Sequence, residues 1–336
     1  MKIVFVETEP WEQAHVVSKL KGHELVFCPE PLTDSNVQNY QDADILSINV
    51  YSKITPAILD TLSQVKMIST RSTGFDHIDL AATKARQIII TNVPQYGSIT
   101  VAEHTWAMIL ALSRRIFESY DRTEASDFSS DGLRGFDLYD KTLGIIGLGA
   151  IGRHVALMSR GFSMKLRVLN PHHDQDFANQ FPNFTYVDRI EDIFTHSDVV
   201  SFHAPLTQDT YHMLNLSNYN LLKPGSIVVN TSRGALIETQ ALVKALEEKR
   251  IRGAGLDVLE SEEYMQPNAV SMATFPAEHE LAEVYLNHRL IGMPNVLITP
   301  HNAFNSDESV YRKIDGNLDS IRSFLDNGDQ CINQVD

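Results

Sequence analysis

A glycine-rich turn after an apolar segment constrains the fold of this chain more than any other feature. Thr142–Ile146 has the composition of a buried strand, and Gly147, Gly149 and Gly152 follow it with the spacing G-x-G-x-x-G before a helical pattern. In such a turn the first glycine permits a tight bend, the second lets the backbone approach a pyrophosphate, and the third lets helix and strand pack closely. The helix N-terminus then attracts phosphate charge. An ordinary glycine turn is the alternative, but the strand-then-helix context favours dinucleotide binding.

The next predicted strand, Leu166–Leu169, ends at Asn170, where a dinucleotide site distinguishes NAD from NADP. An acidic residue there would bind the ribose hydroxyls of NAD, and Asn170 is a neutral residue that can still hydrogen-bond a hydroxyl. No Arg or Lys follows as far as Asp176, so the 2′-phosphate of NADP would lack an obvious cation. The sequence therefore favours NAD, with NADP as the less favoured alternative. The adjacent His172 and His173 fall in a polar loop, where histidines are typically solvated, and we predict no metal site.

Short apolar strands alternate with helical patterns along most of the chain. The segments predicted as strands are Lys2–Val6, Glu24–Cys28, Ile45–Val50, Lys66–Thr70, Ile88–Asn92, Thr142–Ile146, Leu166–Leu169, Val199–His203, Ser226–Asn230, Gly253–Val258 and Val296–Thr299. This alternation is typical of parallel sheets with crossover helices, which places the chain in the α/β class. Eleven strands are more than one ordinary open sheet holds, so the sequence predicts two sheets in two domains.

A long helix predicted near Ser98–Arg115 divides the two domains. It follows Asn92–Gly97, a segment rich in residues that interrupt helices, and the polar stretch Asp121–Tyr139 leads from it to the next strand. We place the domain boundaries at 99/100 and 301/302. Residues 100–301 would then form the dinucleotide-binding domain.

The composition excludes several classes of partner. The chain carries 28 Lys and Arg against 43 Asp and Glu, a formal net charge of −15. Such a surface repels nucleic-acid phosphate and anionic lipid, and an anionic substrate would need local positive charge at its site. Two cysteines cannot form a disulfide framework, and the N-terminus lacks the apolar region of a signal peptide, so we expect a cytoplasmic location. No segment approaches the about 18–20 continuous apolar residues that cross a membrane.

A strongly apolar strand, Ser226–Asn230, is followed within three residues by Arg233. The forked guanidinium of an arginine can donate two parallel hydrogen bonds to a carboxylate. A surface salt bridge is the alternative, but open α/β sheets bind ligands at the carboxyl ends of their strands. We therefore predict that Arg233 binds an anionic substrate.

An acidic cluster and a single histidine follow two later strands. Leu256–Glu263 contains a strand end and then acidic residues, and Ile298–Phe304 places His301 directly after a proline. A solvated acidic loop and a structural histidine are the ordinary interpretations of these segments taken alone. A carboxylate beside a histidine, however, can hold the charged imidazolium near neutral pH.

These segments resemble the D-isomer-specific 2-hydroxyacid dehydrogenase family over nearly the whole chain. The matching segments are Arg71–Asp79, Asn92–Gly97, Val101–His104, Gly147–Gly152, Asn230–Gly234, Leu256–Glu262 and Thr299–Phe304. Together they are specific to the family, although each alone is weak. The resemblance implies two Rossmann-like domains with parallel sheets: a flavodoxin-like substrate domain of residues 1–99 and 302–336, which the C-terminal helix completes, and the dinucleotide-binding domain.

The resemblance also implies roles for individual residues. Arg233 would bind the substrate carboxylate, His301 would donate the proton and Glu262 would support His301. Backbone N–H groups of Thr73 and Gly74 would also bind the substrate carboxylate. Further substrate contacts would come from Tyr51, Tyr96 and Phe304. Contacts to NAD would come from Gly147, Gly149, Ala150, Ile151, Gly152, Asn170, His203, Ala204, Pro205, Thr231, Ser232 and Asp257. Among these, Asp257 and the backbone near Thr231 would face the nicotinamide carboxamide.

Within the family, the sequence is most similar to the lactate-type branch. Asn302–Phe304 follows the catalytic histidine as in that branch, and Tyr51 suits a small substrate side chain. The predicted substrates are therefore a small 2-keto acid, first of all pyruvate, and its D-2-hydroxy acid. The alternatives are D-glycerate, a bulkier D-2-hydroxy acid, an inorganic donor such as phosphite, and a nucleotide-sensing binding protein of the same fold. The segment Tyr264–Leu290 departs from the expected pattern and leaves the substrate open. The family also implies a homodimer formed through the cofactor domain.

Overall fold

A computed structural model of the protein describes residues 1–265 and 277–335. Its internal contacts divide the chain into two compact units. Unit 1 comprises Met1–Gly97 and Asn305–Asp336, and unit 2 comprises Ser98–Phe304. These bounds lie two to three residues from the predicted boundaries at 99/100 and 301/302.

Unit 1 contains one parallel sheet with helices on both faces. Its strands are β1 (Lys2–Phe5), β2 (Glu24–Phe27), β3 (Ile45–Ile48), β4 (Met67–Thr70) and β5 (Ile89–Thr91), in the order β2-β1-β3-β4-β5. Its helices, numbered along the whole chain, are α1 (Pro10–Lys19), α2 (Pro56–Thr61), α3 (Leu80–Ala85) and α11 (Asp307–Asn327). This order is that of flavodoxin-like folds and confirms the predicted class of the first domain.

The C-terminal helix α11 packs on the sheet of unit 1. Its buried residues Ile314, Leu318 and Ile321 share an apolar cluster with Phe5 and Met67. These apolar side chains recur at helical spacing along α11, which gives the helix one buried face. The chain therefore ends in the unit in which it begins.

Unit 2 contains a larger parallel sheet. Its strands are β6 (Thr142–Ile146), β7 (Lys165–Leu169), β8 (Phe184–Val187), β9 (Val199–Phe202), β10 (Ser226–Asn230), β11 (Ile251–Leu256) and β12 (Val296–Ile298). Its helices are α4 (Ser98–Arg114), α5 (Ile116–Glu124), α6 (Ala150–Met158), α7 (Gln175–Ala178), α8 (Ile190–His196), α9 (Thr239–Glu247) and α10 (Glu278–Ile291). The order β8-β7-β6-β9-β10-β11-β12 is the Rossmann order extended by one strand, so the strand order reverses between β6 and β9. A ligand is expected at that reversal, outside the carboxyl ends of the strands.

Two sequence predictions about elements are wrong. The structure has β8, which the count of eleven strands omitted; it lies at the edge of the sheet and is only partly buried, so its pattern lacks the fully apolar run of an inner strand. The sequence also did not predict the helix α5, which includes the first residues of the polar stretch Asp121–Tyr139. Arg115 adopts φ +52°, which ends α4 and lets a second helix start at Ile116.

The segment Tyr264–Leu290, whose role the sequence left open, is partly covered. Tyr264 and Met265 end a short 3-10 helix, residues 266–276 lie outside the described residues, and α10 begins at Glu278. Within the described part of the chain, no helix combines the length and the apolar character needed to cross a bilayer.

Candidate functional site

The glycine turn between β6 and α6 leaves space at the start of the helix. Gly147 has φ +94°, and a Cβ there would lie 2.6 Å from the backbone nitrogen of Ala204. A Cβ on Gly152 would lie 2.2 Å from the carbonyl oxygen of Gly147, so both positions require glycine. Around Gly149, by contrast, no described atom lies within 4 Å of the Cβ position. An open helix N-terminus preceded by this turn fits the pyrophosphate of a dinucleotide.

The side chain of Asn170 forms a hydrogen bond with the glycine turn. Its Oδ1 accepts a hydrogen bond from the N–H of Leu148 at 2.9 Å, and its Nδ2 donates to the carbonyl of His172 at 2.6 Å. The structure therefore gives this residue a local role in addition to the ribose contact that the sequence predicts. In the segment that follows, Asp174 already pairs with Arg153 of α6 at 2.8 Å. Among residues 1–265 and 277–335, no group of three or more His, Cys, Asp or Glu side chains could hold a metal ion.

His203 and its neighbours form the other side of the turn. The Nε2 of His203 lies 2.8 Å from Ser201 Oγ, and its Nδ1 has no hydrogen-bond partner among the described residues. Burial lowers the pKa of His203 to about 3, so the imidazole is neutral at physiological pH. The carbonyl of Ala204 accepts from Ser232 Oγ at 2.7 Å, and that of Pro205 accepts from Thr210 Oγ1 at 2.6 Å. The backbone carbonyl of His203 lies 2.7 Å from the Cβ position of Gly147, so this segment closes one side of the glycine turn.

A hydrogen-bonded turn after β10 presents Arg233. The Nδ2 of Asn230 donates to the carbonyl of Arg233 at 2.8 Å, and its Oδ1 accepts from Ser232 N at 3.0 Å. Thr231 is fixed from the helix side, because its Oγ1 lies 2.9 Å from Thr105 Oγ1. The side chain of Asn230 thus supplies hydrogen bonds to the turn where the strand ends. These bonds fix the backbone from which the side chain of Arg233 extends.

Glu262 and His301 form an ion pair. The Nδ1 of His301 lies 2.6 Å from Oε1 of Glu262, and both side chains are about one-third exposed, at 36% and 30%. The other carboxylate oxygen, Oε2, accepts from the N–H of Leu259 at 3.0 Å. Because the carboxylate uses Nδ1, the opposite ring nitrogen of His301 is the one left for proton transfer.

The pKa of His301 is raised above its ordinary value. Burial is the largest influence and acts to lower it, but the hydrogen bond and charge of Glu262, together with the charge of Asp257, outweigh that effect. The positive charge of Arg233 acts in the lowering direction, which places the guanidinium within electrostatic reach of the imidazole. Glu262, His301 and Arg233 all belong to unit 2.

Asp257 lies beneath the loop that carries His301. Its carboxylate accepts from Thr299 Oγ1 at 2.5 Å and from the backbone N–H groups of Asn302 and Ala303 at 2.8 and 2.9 Å. His104 of α4 lies 3.1 Å from the same Thr299 hydroxyl. The sequence predicts a contact between Asp257 and nicotinamide; the structure gives the carboxylate three donors of its own, which hold His301 at φ +51°.

Glu260 and His212 are not among the residues that the sequence predicts for the site. Glu260 is buried two residues before Glu262, and its Oε1 lies 2.5 Å from His212 Nε2. The acidic cluster around Glu260 was visible in the sequence, but its partner is 48 residues away and belongs to no recognisable motif. Only the fold brings the two together.

The predicted substrate residues of unit 1 follow the carboxyl ends of its strands. Thr73, after β4, donates from Oγ1 to the carbonyl of Val93 at 3.0 Å, and the carbonyl of Gly74 accepts from Ser72 Oγ at 2.6 Å. Tyr51, after β3, has a side chain that is largely exposed. The carbonyl of Tyr96, after β5, accepts from Arg312 at 2.8 Å. Phe304 is the last residue of unit 2.

Comparisons with other proteins agree with this geometry. Residues 106–303 match the model described as "D-isomer specific 2-hydroxyacid dehydrogenase, NAD binding domain". The chain is 33% identical to a D-lactate dehydrogenase of Escherichia coli (strain K12), with all of both chains covered. It is 32% identical to an aromatic 2-oxoacid reductase of Clostridium sporogenes, over 94% of this chain and 93% of that one. The crystal structure of D-lactate dehydrogenase from Aquifex aeolicus, complexed with NAD and lactic acid, superposes with a TM-score of 0.87 at 32% identity, over 97% of this chain and 96% of the other.

The matched region lies within unit 2 and contains the glycine turn, Arg233 and the Glu262–His301 pair. NAD is therefore the cofactor expected at the turn, in agreement with the open space beside Gly149. Since the family model spans more than half of the chain and the full-length relatives exceed 30% identity, this protein belongs to the D-isomer-specific 2-hydroxyacid dehydrogenase family.

Proposed function

We propose that this NAD-dependent D-2-hydroxyacid dehydrogenase interconverts pyruvate and D-lactate, with Arg233, Glu262 and His301 as its catalytic residues. The observation that carries the proposal is the 2.6 Å pair between Glu262 and His301, with Arg233 close enough to influence the imidazole electrostatically. A general acid, its supporting carboxylate and a cation for the substrate are the groups that reduction of a 2-keto acid requires from the protein.

Each of the three residues has a separate role in the proposed reaction. Arg233 binds the carboxylate of the keto acid with its guanidinium fork and draws electron density from the adjacent carbonyl. Protonated His301 donates a proton to the carbonyl oxygen as it becomes an alkoxide, and it removes that proton in the reverse reaction. Glu262 stabilises the imidazolium and fixes the ring through Nδ1.

NADH bound at the glycine turn would supply the hydride for reduction of the keto carbon, and the oxidised cofactor would accept it in the reverse direction. The protein's contribution at that site is to bind and orient the cofactor. Gly149 and the start of α6 would hold the pyrophosphate, and Asn170 would hold the adenosine ribose. NADP is the less favoured alternative, because Arg153 already pairs with Asp174 and Asn170 is neutral.

The size of the substrate side chain separates two candidate substrate classes. Relatives of nearly equal similarity carry names that refer to D-lactate and to aromatic 2-oxoacids. Tyr51, Tyr96 and Phe304 stay predicted substrate contacts, and the first two follow strand ends of unit 1. An aromatic wall suits a small side chain, which favours pyruvate. A bulkier 2-keto acid is the second candidate.

The experiment that tests the proposal is oxidation of NADH, followed by absorbance, with purified protein and a panel of keto acids. The panel comprises pyruvate, hydroxypyruvate, 2-ketobutyrate, 2-ketoisocaproate and phenylpyruvate, with NADPH in parallel. We expect the highest kcat/KM with pyruvate and NADH. A preference for phenylpyruvate or 2-ketoisocaproate would replace the proposed substrate with the bulkier class, and the absence of turnover with every acid would contradict the proposal.

We also propose that the protein forms a homodimer in the cytoplasm. Support for the dimer comes from exposed apolar side chains of unit 2, among them Ile116, Phe117 and Tyr120 of α5. Cys28 and Cys331 are free and buried, which agrees with a reducing compartment.

A further inference from the structure

A second carboxylate lies in the loop that carries Glu262. The side chain of Glu260 is only 5% exposed, and its Oε1 lies 2.5 Å from Nε2 of His212. Its Oε2 accepts hydrogen bonds from the N–H and the hydroxyl of Thr239, at 2.7 and 2.8 Å. Thr239 is the first residue of α9, so the carboxylate also meets the positive end of a helix dipole. A buried carboxylate is unfavourable unless such partners compensate its desolvation, so these contacts fix where Glu260 can lie.

The backbone of this loop is held from two more directions. The Nδ2 of Asn287, on α10, donates to the carbonyl of Glu260 at 2.8 Å. From the other direction Gly234, which follows Arg233, approaches so closely that a Cβ there would lie 2.1 Å from the carbonyl of Leu259. The loop around Glu260 is therefore packed directly against the turn that presents Arg233.

A short chain of contacts connects Glu260 to His301. The N–H of Leu259, the residue before Glu260, donates to Oε2 of Glu262 at 3.0 Å. The other oxygen of Glu262 bonds His301 at 2.6 Å. A shift of the backbone at Glu260 would displace the Leu259 donor and let the carboxylate of Glu262 turn away from the imidazole.

We propose that Glu260 and His212 are a positioning pair that fixes Glu262 against His301. The pair also holds the loop of Glu260 and Glu262 beside the turn that carries Arg233. The proposal rests on the catalytic roles proposed above for Glu262 and His301, and it is independent of which keto acid is reduced. Glu260 acts through Glu262 and does not bind the substrate itself. The competing explanation is that the Glu260–His212 pair only stabilises the fold. In that case, substitution of either residue would leave the position of Glu262 unchanged.

The test compares Glu260→Gln, His212→Ala and His212→Gln with the wild type. We expect Glu260→Gln and His212→Ala to lower kcat for keto-acid reduction by about 10- to 100-fold, the scale of a misplacement near 1 Å. The alkaline limb of the pH profile should move to lower pH in both, because His301 loses part of the support of Glu262. His212→Gln keeps a donor for the buried carboxylate and should restore most of kcat. The Kd for NADH should stay unchanged, because the glycine turn is not altered.

Two controls separate the possible failures. Asp315→Asn breaks a carboxylate–histidine pair of similar length, 2.7 Å between His15 and Asp315 of unit 1, and should leave kcat and the pH profile unchanged. Glu262→Gln is measured in parallel: if it retains the kcat and pH profile of the wild type, the proposed function itself fails. If Glu262→Gln is impaired while Glu260→Gln and His212→Ala lose only thermal stability, the positioning pair is overturned and the proposed function stands. His212 is partly exposed, so its variants provide the answer should Glu260→Gln not fold.

Discussion

Burial and charge act in opposite directions on the imidazole of His301. Burial disfavours the charged ring, whereas Glu262 at 2.6 Å and the more distant Asp257 favour it, and the charges prevail. A general acid is most effective when its pKa is close to the working pH. The environment of His301 thus raises its pKa above the ordinary value of about 6.5, the direction that a proton donor would need.

Replacement of His301 tests whether this ring is the proton donor. We expect His301→Ala to lower kcat for keto-acid reduction by about 10²–10⁴-fold, the usual contribution of general acid catalysis. The Kd for NADH, measured by fluorescence titration, should change little, because the glycine turn is intact. His196→Ala, an exposed histidine at the end of α8, is a matched control that should behave like the wild type. Near-normal turnover of His301→Ala would show that another group donates the proton.

The pH dependence of the reaction follows from the raised pKa. If His301 is the proton donor, as proposed, reduction of a keto acid needs its protonated form. The value of kcat/KM should then be constant at low pH and fall as pH rises through the pKa, above the ordinary value of about 6.5. In Glu262→Gln the supporting charge is gone and burial acts with less opposition, so the pKa drops and the limb moves to lower pH. Initial rates across a pH series measure both curves. An identical limb in the two proteins would contradict the role of Glu262.

Arg233→Lys keeps the positive charge but loses the guanidinium fork. We expect KM for the keto acid to rise by about 10- to 100-fold, because a charge-assisted hydrogen bond is worth about 1.5–3 kcal/mol. Steady-state kinetics with pyruvate measures the change, and KM for NADH is the internal control. If KM for the keto acid stays at the wild-type value, Arg233 does not bind its carboxylate.

At the scale of elements, the three glycines of the turn differ in whether the fold or a ligand requires glycine at the position. Gly147 and Gly152 have no room for a side chain, because backbone atoms lie 2.6 and 2.2 Å from the Cβ positions. Gly149 has φ −75°, which any residue adopts, and no described atom lies within 4 Å of its Cβ position. The fold therefore needs glycine at two of the three positions, and only a ligand would need it at the third.

This distinction predicts the behaviour of Gly149→Ala. The variant should keep the Tm of the apo protein and weaken NADH binding at least about tenfold, or about 1.4 kcal/mol, because the methyl group would enter the space proposed for the pyrophosphate. Calorimetry and fluorescence titration measure the two quantities. Gly161→Ala, also with no described atom within 4 Å of its Cβ position, is the matched control and should bind NADH normally. Unchanged NADH affinity in Gly149→Ala would move the pyrophosphate elsewhere.

What the sequence could predict depended on how local each signal was. The glycine turn and the approach of Arg233 to a strand end are encoded within a few consecutive residues, and the structure has both as predicted. Glu260 and His212 are 48 residues apart, so no local pattern pairs them. The edge strand β8 was missed because partial burial weakens its apolar pattern, and α5 because one left-handed residue, Arg115, splits a helical pattern into two helices.

At the scale of the whole molecule, the net charge of −15 opposes an anionic substrate and an anionic cofactor. Local positive charges at the site offset this repulsion. Arg233 supplies a cation near His301, and the N-terminus of α6 supplies partial positive charge beside Gly149. Screening at physiological salt, with a Debye length of about 8 Å, confines the repulsion of the remaining surface to short range. Binding therefore depends on these few local groups rather than on the overall field.

The surface of α5 is unusual for a free monomer. Every residue of this helix, all of them described, is half-buried or exposed, and Ile116, Phe117 and Tyr120 are exposed by 54%, 47% and 60%. Phe128, in the segment that follows, is 84% exposed. Large apolar side chains grouped in this way mark an interaction surface, and in a homo-oligomer the same patch meets its copy across a two-fold axis. A second copy of this chain is therefore the partner that we propose for α5.

We expect light scattering after size-exclusion chromatography to give twice the monomer mass for the wild type. The double substitution Phe117→Asp with Tyr120→Asp places two charges in the proposed interface, where they would be desolvated without partners, so it should shift the protein to a monomer. Val17→Asp adds a charge at a position of similar exposure, 53%, on α1 of unit 1 and should leave the dimer intact. If the wild type is monomeric, or if the double variant keeps the dimer mass, then α5 is not the interface between two copies of the chain.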